Sequence, residues 1–337
     1  MKLYAAIVAT SLLVLGGTYV FAQESRSVEQ IRKDLNLQAE RTTSGGLIYG
    51  INKKCDPGET CDPQEDLRNA VLEIKATLEE QISNPLDCHG ITEQGGMVVC
   101  QTNPNARVEV GRAEDDVYPM YADENGVIII GFDRDEPAAF ARTSTHRVNF
   151  DIRKRDYDIS RIDGLPRNMV SEYTEEELAR IRSATARKKV GFASRVEEVG
   201  FKNGFIYPVT DHTKTTNFGA QRILNGEPKR PHFGVDLAAP KGTPILAPAD
   251  GVVSLADDDM YFEGSLIMID HGQGLISYYL HNEEVLVEAG QRVKQGDQIA
   301  TVGSRGRSTG PHLCWRLKWR GRNLDPELLT KWPARNG

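Results

Sequence analysis

Short apolar runs separated by glycine and proline fill the last third of this 337-residue chain. Beyond Tyr207 and Pro208 these runs cover residues 252–255, 266–269, 275–280 and 299–302. Brief apolar runs bounded by turn residues are typical of β-strands, and they leave little room for helices. The pattern therefore predicts a mostly β domain over residues 205–330.

A second β-rich region lies upstream, over residues 97–156. Its clearest runs are Arg107 to Val110 and Val127 to Ile130, the latter following an Asn125-Gly126 turn signal. Asn-Gly between apolar runs is a strong hairpin signal. We predict a small β-sandwich-like module here.

Helical signals flank this module on both sides. In residues 23–96, apolar side chains recur at helical spacing at Leu67, Val71, Ile74, Leu78 and Ile82. In the charged segment 157–204, Thr174 and Glu177 form a capping-box pattern, which predicts a helix from Glu175 to Lys189. The expected fold class is α+β overall, with a helical N-terminal segment, the small β module, a charged helical linker and the mostly β C-terminal domain.

The composition argues against nucleic acid as a partner. The formal net charge is −7, with 39% hydrophobic and 26% charged residues, which is ordinary for a globular protein. Lys and Arg are scattered along the chain and form no basic cluster that would bind phosphates.

The first residues predict export. Lys2 precedes an apolar stretch from Ala5 to Leu15, and Val20-Phe21-Ala22 supplies small residues for cleavage before Gln23. We interpret residues 1–22 as a signal peptide. The alternative is an uncleaved membrane anchor, in which case the membrane would also be a partner.

Four of the five cysteines are consistent with an oxidising compartment. Cys55, Cys61, Cys88 and Cys100 could form two disulfides in any of three connectivities, and we favour the local pairs 55 with 61 and 88 with 100. A four-cysteine zinc cluster is the alternative, although neither pair has C-x-x-C spacing. With these four cysteines paired, Cys314 is left without a disulfide partner.

Three histidines occur in contexts that suggest chemistry. His232 lies four residues before Asp236 in Pro-His-Phe-Gly-Val-Asp, and His281 ends the aromatic run Ser-Tyr-Tyr-Leu-His. His312 and Cys314 follow Ser-Thr-Gly-Pro, where strand alternation places both side chains on one face. Imidazole, carboxylate and thiolate are all zinc ligands. The histidines to which we assign no chemistry are His89, His146, His212 and His271.

Taken together, these segments resemble the lysostaphin and LytM family of peptidoglycan zinc metalloendopeptidases. The resemblance covers about residues 205–329, including the runs at 242–253 and 303–311. It implies a curled β-sheet with a duplicated hybrid motif and a groove. It also implies that His232 and Asp236 bind Zn²⁺, that position 314 supplies the third ligand, and that His281 and His312 are catalytic groups beside the attacking water and the substrate carbonyl.

The chain departs from the family pattern at Cys314, which stands where the family has the last histidine of H-x-H. A thiolate keeps three ligands and makes the formal charge of the zinc site zero, where a second imidazole would leave plus one. A thiolate donates more electron density to zinc than an imidazole does, which should make the metal a weaker Lewis acid. Two other interpretations remain open: a degenerate domain without metal, and Cys314 as a buried core cysteine.

The resemblance and the export signal imply a function. The expected protein is a periplasmic zinc metalloendopeptidase of a Gram-negative bacterium that hydrolyses peptidoglycan stem peptides or crosslinks, with D,D-crosslinks as the target. The alternative is an activator or scaffold for another cell-wall hydrolase, which would then be its partner. Arg222, upstream of the first ligand, is a candidate to bind a substrate carboxylate, or else a plain surface arginine.

Overall fold

The computed structural model describes residues 83–331, except 166, 168–171 and 198, together with two strands nearer the N-terminus. The chain divides into two compact units, residues 1–83 and 84–337. The strands described in the first unit form an antiparallel pair and are β1 (Leu37–Arg41) and β2 (Leu47–Ile51). The predicted signal peptide, the helical pattern from Leu67 to Ile82 and the Cys55 with Cys61 pair lie outside the described residues.

The second unit begins with a small β module. Its first strand lies before the predicted boundary at residue 97, and this strand, like β1 and β2, falls in the segment that was predicted to be helical. Its strands are β3 (Asp87–Gly90), β4 (Met97–Gln101), β5 (Arg107–Ala113), β6 (Asp116–Tyr121), β7 (Val127–Gly131), β8 (Ala138–Arg142) and β9 (Arg147–Asp151). They form two antiparallel sheets, with the orders β3-β4-β7 and β6-β5-β8-β9. The inward residues of both sheets are apolar and share one buried core, as period-2 alternation requires.

One disulfide joins β3 to β4, where Cys88 and Cys100 are directly opposite each other. This confirms the local pairing that we favoured for these two cysteines. Cys314 is free and buried.

The described part of the charged linker includes the strand β10 (Ile159–Ile162) and the helix α1 (Glu175–Phe192). The predicted capping box of α1 is confirmed: the Glu177 backbone N–H donates to Thr174 Oγ1, and the Glu177 side chain accepts from the Thr174 N–H. The helix packs along one long strand of the C-terminal sheet. Arg187 and Lys188 anchor it there through ion pairs with Asp257 and Glu263.

The C-terminal part is mostly β, as predicted. Its strands are β11 (Thr213–Thr216), β12 (Gln221–Leu224), β13 (Glu227–Pro228), β14 (Val235–Ala238), β15 (Pro244–Leu246), β16 (Gly251–Met260), β17 (Gly264–Asp270), β18 (Leu275–Leu280), β19 (Asn282–Val285), β20 (Arg292–Val293), β21 (Gln298–Val302), β22 (His312–Trp319) and β23 (Arg322–Leu324). A 3₁₀ turn at Gly200–Asn203 precedes them, and the short helix α2 (Pro326–Thr330) follows.

One large sheet dominates this part, with the order β11-β14-β22-β18-β17-β16-β20 and β23 added beside β22. Two smaller sheets have the orders β15-β21-β19 and β10-β12-β13. Strand β10 runs parallel to β12, so the linker contributes a strand beside the C-terminal domain. Tyr279, Trp315 and Trp319 are fully buried and anchor the central strands in the core.

The small β module and the C-terminal strands share that core. A buried ion pair also joins them, because Glu136 accepts hydrogen bonds from Arg112 of the module and from Arg322 of β23. The side chain of Gln273 reaches the backbone of β7, accepting from the Ile129 N–H and donating to the Val127 carbonyl. The two parts therefore form one packed body. Among the described helices, none is long and apolar enough to cross a lipid bilayer.

Candidate metal centre

Strand pairing in the large sheet creates the candidate site. Strands β14 and β22 are antiparallel neighbours, and their register sets Asp236 directly opposite Cys314. His232 lies four residues before Asp236, in the segment that enters β14. Residues directly opposite each other in such a ladder have their side chains on the same face. The sheet thus brings a carboxylate and a thiol together, and the preceding loop adds an imidazole.

The three side chains converge on one point. His232 Nε2 lies 3.1 Å from Cys314 Sγ and 3.1 Å from Asp236 Oδ1. One candidate ligand atom from each residue lies within 4.8 Å of the other two. All three residues are buried, with at most 7% of their surface exposed.

These residues fit a zinc ion. Tetrahedral zinc with bonds of about 2.0–2.3 Å places its ligand atoms about 3.3–3.8 Å apart, close to the spacing found between them. Asp236 Oδ1 is buried and accepts no hydrogen bond with good geometry from the described residues. Leaving a buried carboxylate oxygen unsatisfied is costly, and a cation beside it would remove that cost. One imidazole, one carboxylate and one thiolate also match the donor types that zinc accepts.

Burial sets the protonation of the three groups. Burial lowers the pKa of His232 to about 4, so its ring is neutral near pH 7. Burial also raises the pKa of the Cys314 thiol to about 12. For Asp236, burial acts to raise the pKa, but close contact with His232 and the charges of His312 and Arg222 outweigh it and hold the pKa below its usual value.

Two further histidines flank this cluster. His312 begins β22, and its Nε2 lies 3.8 Å from Asp236 Oδ1. His281 follows β18, and its ring centroid lies 4.9 Å from that of His312. Burial lowers the pKa of His281 to about 4. Its φ of 68° is unusual for a non-glycine residue, and backbone hydrogen bonds from its N–H to Glu263 and Ser265 hold this turn.

Backbone carbonyls orient both flanking rings. His281 Nδ1 lies 2.7 Å from the Arg305 carbonyl, and His312 Nδ1 lies 2.8 Å from the Gly310 carbonyl. A carbonyl only accepts, so in each case Nδ1 carries the proton. The Nε2 atom of each neutral ring then keeps its lone pair.

A cavity of about 440 Å³ opens onto the cluster. Among the residues predicted for the site, those that line it are Arg222, Asp236, His281, His312 and Cys314. His232 is only 1% exposed and lies behind the cavity wall. The six predicted residues are therefore brought together in one place.

Two arginines that the sequence reasoning missed also line this cavity, Arg307 and Arg316. Arg316 Nε donates to Cys314 Sγ at 3.2 Å, and an Arg222 guanidinium nitrogen lies 3.7 Å from Asp236 Oδ2. The position of Arg316 could have been predicted, because the strand alternation that places His312 and Cys314 on one face also places residue 316 there. Nothing in the spacing of Arg307 indicated its position.

The four histidines to which we assigned no chemistry lie outside the cavity lining. His271 is fully buried and bridges the Asp250 carbonyl and Ser277 Oγ, next to a turn after β17. His212 contacts the Val209 carbonyl.

The mostly β fold of the C-terminal part matches that of an M23 peptidase domain. Residues 230–326 match Peptidase family M23, and the C-terminal part of this chain is a domain of that family. The match lies within the boundaries predicted for the mostly β domain.

Curated relatives share this part of the chain. Peptidoglycan DD-endopeptidase ShyA of Vibrio cholerae is 41% identical over 121 residues, which is 35% of this chain and 28% of ShyA. Murein hydrolase activator NlpD of Salmonella typhimurium is 38% identical over 117 residues, which is 35% of this chain and 29% of NlpD. The matches thus span less than a third of either relative, and the two relatives have names of different functional classes.

A solved structure extends the similarity upstream. A crystal structure described as a putative peptidase M23 from Pseudomonas aeruginosa is 25% identical, with a TM-score of 0.53. The alignment covers 71% of this chain and 95% of that one. Because this share is much larger than the M23 match alone, the likeness includes structure upstream of the peptidase domain.

Proposed function

We propose that this protein is an exported zinc metalloendopeptidase that hydrolyses peptide bonds in peptidoglycan. The observation that carries the proposal is the convergence of His232, Asp236 and Cys314 on one buried point at the end of a cavity. Membership of the C-terminal domain in Peptidase family M23 supports the reaction class.

His232, Asp236 and Cys314 would hold the zinc ion. When bound, zinc supplies a Lewis acid that polarises the scissile carbonyl and makes water nucleophilic near neutral pH. His232 is suited to this role because it is neutral and presents Nε2 to the other two ligands. The N–H of Arg316 would remain a hydrogen-bond donor to the sulfur and orient it from outside the ligand set.

His281 and His312 would move the proton. Each ring keeps an Nε2 lone pair, so either one can accept the proton of the attacking water as a general base. The resulting imidazolium is a donor, which can stabilise the oxyanion or protonate the leaving amine. The carbonyls of Arg305 and Gly310 hold the rings in the tautomer that this sequence of transfers needs.

The sequence and the relatives support a proposal for the substrate and the location. The N-terminal segment predicts export, and the ShyA relative is named a peptidoglycan DD-endopeptidase. We therefore propose the periplasm of a Gram-negative bacterium as the location and D,D-crosslinks of peptidoglycan as the target.

Mass analysis of muropeptides tests this proposal. Purified sacculi are incubated with the zinc-loaded protein, and the soluble products are compared with those of an Asp236→Asn variant, which keeps the side-chain shape but removes the charge. We expect new peptide products with the wild type and few with the variant. Intact sacculi in the presence of stoichiometric zinc would contradict endopeptidase activity.

A second candidate is an activator of another cell-wall hydrolase. The positions of Arg316 and Arg222 favour it, because their guanidinium groups lie against Cys314 and Asp236, two of the three candidate ligands. Such contacts can satisfy the ligand groups without a metal. The NlpD relative is named a murein hydrolase activator, which is compatible with this reading.

Metal content separates the two candidates. An activator would be purified without stoichiometric zinc, would leave sacculi uncut alone and would increase the rate of a peptidoglycan amidase added to the same sacculi. An endopeptidase would contain zinc and would release peptides without the amidase.

A further inference from the structure

The charged linker upstream of the peptidase domain forms one wall of the cavity beside the candidate metal centre. Strand β10 contributes Ser160 and Ile162 to the cavity lining, and Leu165 adds a third side chain just beyond the strand. The M23 match begins at residue 230, so these residues lie outside the matched part of the chain. None of the site residues predicted from the sequence lies in this linker.

The pairing of β10 with β12 determines which linker side chains face the cavity. The two strands are parallel, and their register sets Ser160 beside Arg222 and Ile162 beside Leu224. Successive side chains of a strand point to opposite faces, so these four lie on one face, and all four line the cavity. Ile159 lies on the opposite face of β10 and is 60% exposed.

Hydrogen bonds fix this part of the linker at both of its ends. At one end, the Leu165 N–H donates to Asn225 Oδ1 at 3.0 Å, and Asn225 Nδ2 donates to the Leu165 carbonyl at 2.7 Å. At the other end, the Gln221 N–H donates to the Asp158 carbonyl, and Asn217 Nδ2 donates to Asp158 Oδ2. The linker is therefore held against β12 along the part that faces the cavity.

The side chains of this wall are mainly aliphatic. Ile162, Leu165 and Leu224 line the cavity together, and we call them the aliphatic wall. Leu224 is two residues, or about 7 Å of strand, beyond Arg222, whose guanidinium lies 3.7 Å from Asp236 Oδ2 of the metal centre. A peptide whose carbonyl reached the metal centre would therefore bring a neighbouring side chain to the aliphatic wall. Burial of an alkyl group there would favour binding.

We propose that the aliphatic wall determines specificity by receiving an alkyl side chain of the peptide next to the scissile bond. The linker then completes the substrate site, and a peptide with alanine at that position binds better than one with glycine, which has no side chain to bury. The inference deepens the proposed function and rests on it for the identity of the ligand as a peptide. Contact with the aliphatic wall requires neither the metal nor cleavage.

Calorimetric titration with two matched peptides tests this role. The full-length protein is treated with a chelator to prevent cleavage and is titrated with a short crosslinked peptide that has D-alanine at the proposed cleavage site. The comparison is the same peptide with glycine in place of that D-alanine. We expect the alanine peptide to bind about threefold to tenfold more tightly, since one methyl group is buried against the aliphatic wall. Equal affinities, or no measurable binding of either peptide, would overturn the proposal.

Variants on the two faces of β10 assign the preference for alanine to the aliphatic wall. Ile162→Ala removes alkyl groups from the cavity face and should reduce the preference to about twofold or less. Ile159→Ala removes the same atoms from the exposed face of the same strand and should keep the wild-type preference. Retention of the full preference in folded Ile162→Ala, or an equal loss in both variants, would overturn the proposal.

A third variant loosens the linker without changing the cavity lining. Asn225 has a φ of 48°, which glycine adopts readily, so Asn225→Gly keeps the turn and removes both side-chain hydrogen bonds to Leu165. We expect the preference for alanine to fall in this variant as well, and an unchanged preference would contradict the role of the linker. Circular dichroism checks folding, and Asn225→Gly carries the test if Ile162→Ala does not fold.

Failure of this inference is distinguishable from failure of the endopeptidase proposal. The affinities are measured on metal-free protein, whereas muropeptide release from sacculi is measured separately on the zinc-loaded protein.

Discussion

Cys314 is the residue on which the chemistry of the proposed site depends most. A thiolate donates more charge to zinc than an imidazole, so it weakens the metal as a Lewis acid. The Arg316 N–H withdraws part of that charge, since it donates to the same sulfur. In the proposed zinc site, residues 314 and 316 would therefore act as one unit, in which the arginine partly offsets the effect of the thiolate.

Replacing His281 by alanine separates catalysis from metal binding. His281 lies beside the ligand cluster but is outside the set of three that converges on one point. We expect muropeptide release to fall about 10²- to 10⁴-fold, as for loss of a general acid or base, while zinc affinity stays near the wild-type value. Zinc affinity is measured by competition with a chromophoric chelator. A large loss of zinc affinity in this variant would contradict the assignment of roles.

The buried His271 makes stability dependent on pH. Burial lowers its pKa from 6.5 to about 4, so as pH falls the unfolded chain takes up a proton first. Its contribution is fully present above pH 6.5 and is lost as pH falls from 6.5 to about 4, by about 3 kcal/mol at most. Urea unfolding at several pH values should show a smaller pH slope in His271→Gln than in wild type. Identical slopes would show that His271 does not titrate this way.

The pairing of β14 with β22 is the structural element that creates the site. Two features of it were predictable from sequence: the short strands between Gly and Pro turns, and the alternation that places His312 and Cys314 on one face. The register that puts Asp236 opposite Cys314 was not predictable, because the two strands are distant in sequence and pairing between distant strands is set by tertiary packing.

The charged linker also shows that local structure can be predicted from sequence and that pairing between distant strands cannot. The capping box at Thr174 is a local signal, and it correctly predicted where α1 begins. Strand β10 is too short and too polar to be distinguished from the surrounding charged segment, and its backbone hydrogen bonds come from β12. Its partner is more than fifty residues away, so no local pattern could predict it.

Replacing Gly234 by alanine tests whether the close approach of the chain at Gly234 to β22 is needed for stability. In Gly234→Ala the new Cβ would meet Arg316 Cγ and the Trp315 carbonyl oxygen, at 2.4 and 2.6 Å. We expect a loss of about 1–3 kcal/mol in the free energy of unfolding, the usual cost of overpacking. Gly310→Ala is the matched control, because its Cβ would meet nothing within 4 Å. Equal unfolding free energies in the two variants would show that the contact is tolerated.

At the scale of the whole molecule, the small β module and the peptidase domain form one body. The sequence predicted the two as separate segments, 97–156 and 205–330, because each has its own strand pattern. Both lie in one compact unit, and buried residues of the module and of the C-terminal sheet share one core. Contacts between segments so far apart in the chain leave no local trace in the sequence.

Replacing Glu136 by alanine tests whether the small β module and the C-terminal sheet stabilise each other. Its side chain is 1% exposed and bonds to both Arg112 and Arg322, so Glu136→Ala would leave Arg322 buried without its carboxylate. We expect a loss of about 3–5 kcal/mol in the free energy of unfolding, measured in urea. Exposed Glu124→Ala serves as the control and should stay within about 0.5 kcal/mol of wild type. No difference between the two variants would contradict a shared core.

In the proposed site, Cys314 binds the metal together with His232 and Asp236. The most direct measurement is the absorption spectrum of the cobalt-substituted protein, because a thiolate bound to cobalt gives a sulfur-to-metal charge-transfer band in the near ultraviolet. We expect this band in wild type, its absence in Cys314→Ser, and a zinc affinity in that variant lower by more than the roughly 10- to 100-fold that loss of an outer partner costs. Cobalt binding without the band, or equal zinc affinity in Cys314→Ser, would contradict the claim.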